Sequence, residues 1–285
     1  MPLNFNWTTV QVIWTLTFAA HLVLLVVLLG RDRAKRFPWF TTAIALVALR
    51  LVSSRLLFNR LPQLTLGAVF VVLADVSVIV SLLVLVEIAR QVFARVPRKR
   101  RAIWILVLFA MSGTVAATWG PWPAFKTLTP VTSIAFLEVL QLLAQKGGLL
   151  IDVLTVLLGL LVVSFGRAYG VGWRKHAHRI MIGLSTASLA QIAVQIIWQV
   201  IAKTAKPHSM AEYEHVVGLR EKLFNGNSVI YLAVLVWWIA CLWLDEPSQD
   251  EPDSGETAGV AFPVGSGDPT RKAGAKAEPP ADTHE

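Results

Sequence analysis

Residues 66–88 read LGAVFVVLADVSVIVSLLVLVEI. The run is apolar on every side, so a helix built from it has no face suited to water. Its length matches the roughly 20 residues that carry an α-helix across the hydrocarbon core of a bilayer. Six more stretches of this kind occur, near 9–30, 38–59, 102–119, 149–166, 179–202 and 228–244. The composition agrees: 55% of the 285 residues are hydrophobic and 15% charged, against about 25% charged in ordinary soluble domains. So little charge cannot cover a water-facing exterior. The expected fold class is an all-α integral membrane protein with seven transmembrane helices.

The first stretch lacks a basic leader, and Arg31, Asp32, Arg33, Lys35 and Arg36 follow it directly. That order fits a first span with its N-terminus outside rather than a cleaved signal. The connections test the count. Those after spans one, three and five hold fourteen Lys and Arg, among them Arg98, Lys99, Arg100 and Arg101. The alternate connections hold seven. Excess base on one side marks the cytoplasmic face, so the N-terminus is expected outside and the C-terminus in the cytoplasm. Trp7, Trp39, Trp104, Trp119, Trp122 and Trp243 fall near span ends, where indole rings favour the interface. The expected residence is a plasma membrane. Arginine outnumbers lysine in a chain rich in Ala, Leu and Val, which points to a bacterial cytoplasmic membrane.

The formal charge of +8 therefore reads as a topology signal. The expected partners are the bilayer and its anionic headgroups at the basic inner loops, and no nucleic acid. Residues 245–285 differ from the bundle 1–244. They carry ten acids and three bases amid Pro and Gly, the composition of a disordered acidic cytoplasmic tail. Such a tail could dock a cytoplasmic protein partner. The single cysteine, Cys241, excludes an intrachain disulfide and a thiol zinc cluster; it reads as a small packing residue.

Two further segments precede spans. In 131–146, Glu138, Gln141 and Gln145 share one helical face, which predicts an interfacial helix or an extension of span five, with Gly147-Gly148 as a joint. In 209–225, Ser209 and Glu212 have capping-box spacing, and Asn225-Gly226-Asn227 reads as a helix stop before span seven.

Ionisable groups inside a membrane are costly and mark function by default. Arg50 and Asp75 both fall about 13–14 Å below the outer boundary at 1.5 Å per residue. They are the expected buried ion pair, with His21 close enough to join. The alternative is a pair that only locks two helices together. Arg55 and Asp152 are a second possible pair, unless Arg55 reaches outward to the interface. Glu87 is expected beside Arg90 at the inner boundary. In span six, Ser185, Ser188, Gln191, Gln195 and Gln199 form a polar stripe within about 120° of arc. Amides unpaired in lipid cost several kcal/mol, so the stripe should face the interior. The predicted intramembrane cluster is His21, Arg50, Asp75, Ser188, Gln191, Gln195 and Gln199. Hydrogen bonding between helices without a ligand is the plainer explanation of the same stripe.

His208, Glu212 and His215 form a weak metal candidate, because His208 precedes the predicted cap. His176 and His178 read as surface histidines near headgroups. No cofactor is predicted. Span seven has no lysine for a retinal Schiff base of the usual kind. A single deep histidine does not support bis-histidine haem. No catalytic residue is assigned: phosphate-loop, zincin and nucleophile-elbow motifs are absent. The leading functional expectation is a sensor, receptor-like or accessory protein with a polar intramembrane cavity. The alternative is a small-solute transporter using Arg50, Asp75 and the glutamine stripe. A membrane-embedded enzyme has least support.

Overall fold

A computed structural model describes residues 8–57, 60–93, 96–119, 133–165, 176–205 and 209–244. These form eight helices and no strand: α1 (Thr9–Gly30), α2 (Arg33–Arg36), α3 (Pro38–Leu57), α4 (Gln63–Val92), α5 (Arg98–Thr118), α6 (Ser133–Phe165), α7 (His176–Thr204) and α8 (Met210–Trp243). All but α2 are long and apolar enough to cross a membrane, as expected of a multi-pass membrane protein. The tail, 245–285, lies outside the described residues. We call the Thr9 end of α1 the upper end of the bundle and the Gly30 end the lower.

Six helices close a ring. The helix pairs that pack are α1 with α3, α3 with α4, α4 with α6, α6 with α7, α7 with α8, and α8 with α1. The remaining long helix, α5, packs on α6 and forms no comparable interface elsewhere. Between helices in lipid, close packing replaces the hydrophobic drive, and small residues permit it. A Cβ on Gly159 would lie 2.8 Å from the Ser185 Cβ, and one on Gly183 would lie 2.6 Å from Trp238 Cε2. The lower end of the ring is packed, with Leu24, Leu28, Phe37, Ile88, Phe93 and Leu242 fully buried. The exterior is apolar, with Leu106 70% and Val26 67% exposed. That surface suits lipid and not water.

Local chemistry sets several helix ends. Thr8 and Gln11 form a reciprocal capping box on α1. The Ser209 hydroxyl accepts from the Glu212 N–H at 3.3 Å, the predicted cap. Pro38, which has no N–H to satisfy, opens α3. The next two N–H groups, of Trp39 and Phe40, donate to the Glu87 carboxylate at 3.3 and 3.1 Å. Glu87 therefore caps α3 from α4 and does not pair with Arg90 as expected.

Two predicted breaks are absent. Helix α6 runs through Gly147-Gly148 without a joint. The segment before 149 is thus an extension of span five, and Gly147 serves instead as a close-approach point for Val78 of α4. Helix α8 runs through Asn225-Gly226-Asn227. A stop there needs a left-handed residue, whereas Asp32, between α1 and α2, is the one non-glycine residue described with positive φ. The Asn227 amide is held by Gln191 of α7.

Candidate functional site

Above the packed lower end, the ring surrounds a half-open cavity of about 560 Å³, lined by all six ring helices. Along α8 it extends from Asn225 to Trp238, about 20 Å at 1.5 Å per residue. Its upper part is polar, with Gln191, Asn225, Asn227 and Ser228 in the wall. The Asn227 amide donates to Gln191 Oε1 at 2.6 Å. The lowest lining residues, Phe40 and Trp238, meet edge to face with ring centroids 5.1 Å apart. Both are 1% exposed, so they make an aromatic floor above the packed lower end.

Between rim and floor sits one ionisable carboxyl, Asp152 of α6. The Ser188 hydroxyl donates to Asp152 Oδ1 at 2.9 Å. One turn below, the Ser185 hydroxyl donates to the Thr155 carbonyl at 3.2 Å. Asp152, Ser188 and Tyr231 all stand about 18–20 Å above the lower ends of their helices. The two hydroxyls thus stitch α6 to α7 at the level where the carboxyl opens into the cavity. Among the described residues no cation forms an ion pair with Asp152; the ion pair found joins Lys35 and Asp32.

Behind the wall lies a second polar element. The Tyr231 hydroxyl, in the lining, is 3.0 Å from His21 Nε2. His21 Nδ1 is 2.7 Å from the Thr17 carbonyl, and His21 is fully buried. A carbonyl only accepts, so Nδ1 bears the proton; in the neutral ring Nε2 then accepts from the tyrosine hydroxyl. The contact ties α1 to α8 beside the cavity.

The predicted cluster is only partly assembled. Ser188 and Gln191 line the cavity, and His21 reaches it through Tyr231. Gln195 and Gln199 continue the stripe but are not in the lining. The Arg50–Asp75 ion pair is not formed: neither Asp75 oxygen has a hydrogen-bond partner, and Arg50 is exposed. Its face, not its depth, is the cause. Phe40, Ile44 and Ala48 form the inward stripe of α3. Two residues beyond Ala48, Arg50 lies about 200° around the helix. Arg55 does not pair with Asp152 either; its guanidinium stacks on Trp14, 4.9 Å from the ring centroid.

His176 and His178 are buried, at 0% and 1% exposure, and not surface residues as expected. His208 lies outside the described residues, and His215 is exposed. Among the described residues no group of three His, Cys, Asp or Glu converges to hold a metal. Asp152 was expected only as a partner of Arg55, and its place in the cavity wall was not expected, nor were those of Asn227 and Tyr231. The signal existed as short polar stripes: Asp152 and Thr155 on α6, and Asn227, Ser228 and Tyr231 on α8. No family model matches the chain, and no curated protein or solved structure matches it.

Proposed function

We propose that this chain is a receptor-like or sensory multi-pass protein of a plasma membrane, with the bundle's upper end outside. Its cavity would take a small organic cation, with Asp152 as the anchor. The observation that carries the reading is a carboxyl deep in the ring whose hydrogen-bond partner is a serine hydroxyl and which has no cation beside it. A lone carboxylate at membrane depth is costly. A cationic ligand seated between Asp152 and the aromatic floor would supply both the missing charge and apolar contact. Ring faces attract cations as well.

The positive-inside charge pattern supports the orientation, and the composition supports a bacterial cytoplasmic membrane. A signal would leave through the basic lower connections and the acidic tail, the proposed contact for a cytoplasmic partner. Transport is the weaker reading. It requires a lower opening, where the Phe40–Trp238 floor and the packed core stand, and Arg50 and Asp75 do not line the cavity.

Thermal unfolding of the purified full chain against a panel of small aliphatic and aromatic amines tests the proposal. A ligand at 100 times its Kd stabilises by about 2.7 kcal/mol. The expected result is stabilisation of the wild type by an amine and none for Asp152→Asn, which keeps a partner for Ser188. Equal stabilisation of both proteins would refute Asp152 as the anchor. Amine uptake into proteoliposomes would favour the transport reading.

A further inference from the structure

The outlying position of α5 leaves a second opening, on the outside of the ring. A crevice of about 360 Å³ lies between α4 and α5, with Leu154 and Leu158 of α6 as its back wall. It is walled by Leu82, Val86, Ala89, Ile105 and Phe109 among others, and among the described residues its charged members are Arg90 and Arg101. Both arginines stand at the lower ends of their helices, so the crevice is apolar above and cationic below. From Leu82 to Arg90, and from Arg101 to Phe109, it runs about 12 Å at 1.5 Å per residue. That is most of the roughly 15 Å depth of one leaflet of a 30 Å core. Among the described residues neither guanidinium has a hydrogen bond or ion pair.

We infer that this crevice is a binding site for one anionic phospholipid. An acyl chain lies between α4 and α5 against Leu154 and Leu158, and the headgroup phosphate bridges Arg90 and Arg101. Three features select this occupant. The crevice lies on the outside of the ring, its length is most of a leaflet's depth, and Arg90 and Arg101 stand at its lower end, the level expected of headgroups. Arginine forms bidentate hydrogen bonds with phosphate. A lipid there also fills the wedge that α5 leaves, completing the contact between α4 and α5. The site is distinct from the Asp152 cavity and does not depend on the proposed function.

Native mass spectrometry of the full chain in detergent tests the site, with phosphatidylglycerol and phosphatidylcholine of identical acyl chains as probes. Retention of one phosphatidylglycerol in preference to phosphatidylcholine is expected. Arg90→Gln with Arg101→Gln removes both charge-assisted phosphate contacts and should weaken that retention by about tenfold or more. Arg90→Lys with Arg101→Lys should keep the preference for the anionic lipid. Lys99→Gln with Arg100→Gln removes the same charge beside the crevice and should leave retention near wild type. Ala102→Trp, which fills the crevice without touching charge, should abolish it. Inorganic phosphate should not displace the lipid. Equal retention of the two lipids would overturn the site. So would an equal loss in the Lys99/Arg100 variant, unchanged binding by Ala102→Trp, or displacement by phosphate.

Discussion

Gly183→Ala tests whether the aromatic floor is rigid. A methyl group at 183 would lie 2.6 Å from Trp238 Cε2 and 3.0 Å from Cζ2. Carbon atoms in good contact sit about 3.5–4.0 Å apart, so the indole or α7 must move by about 1 Å. Trp238 has little room, being 1% exposed and held edge to face against Phe40. Overpacking of this kind costs about 1–3 kcal/mol. Replacing a helical glycine by alanine returns about 0.5–1 kcal/mol. The net expectation is a loss of about 1–2 kcal/mol, or about 2–8 °C in Tm at about 2–4 °C per kcal/mol. Cys241 offers the assay. It is the single cysteine and is buried on α8 close to Trp238. A thiol-reactive fluorogenic dye therefore reports the opening of this region from one site. Trp238→Leu removes the ring that collides and should relieve Gly183→Ala, with a coupling energy of about 1 kcal/mol or more. Losses that add to within about 0.5 kcal/mol, as they do for independent sites, would refute the contact.

Two other substitutions address the polar supports. Tyr231→Phe leaves His21 Nε2 buried without its donor and should destabilise the protein by about 1–3 kcal/mol. Nitrogen-15 NMR of the wild type should show the Nδ1-protonated tautomer; an Nε2-protonated ring would contradict the assignment. Glu87→Ala removes the acceptor for two N–H groups of α3. It should cost about 1–3 kcal/mol, with Glu87→Gln in between. Thermal unfolding that leaves Glu87→Ala at the wild-type midpoint would show that the cap adds nothing.

Hydropathy locates the spans because the bilayer asks one simple thing of a helix, an apolar length. Helix α1 coincides with its predicted span. Span ends in water are harder, since the bilayer no longer selects composition there. Helix α6 begins at Ser133 and α8 at Met210, because polar turns such as those around Glu138 and Glu212 continue a helix freely outside lipid. The stripe on α7 revealed Ser188 and Gln191, since polar residues on one face must find an interior. Arg50 misled, because depth along a helix says nothing of direction around it. Asp152 was visible as a membrane carboxyl, but its neighbours come from α7 and α8. That meeting is set by the ring and not by local pattern. The floor is least visible of all, since Phe40 and Trp238 look like any core residues until they touch.

The closure of the ring also concerns the making of the protein. Among the described residues the α1–α8 interface joins the first spanning helix to the last, and His21 meets Tyr231 across 210 residues of chain. Most other neighbours in the ring follow one another closely along the chain and can pair as they emerge from the ribosome. Helix α1 gains α3 early, but its other flank stays open until α8 is inserted. Asn227, Tyr231 and Trp238 arrive with that helix, bringing part of the rim, the partner of His21 and half of the floor. A nascent chain halted before Met210 therefore holds an open crescent, with its polar residues turned toward lipid. Insertion of α8 and closure of the cavity are one event, so a product that lacks α8 leaves the polar residues of α1 and α7 uncovered.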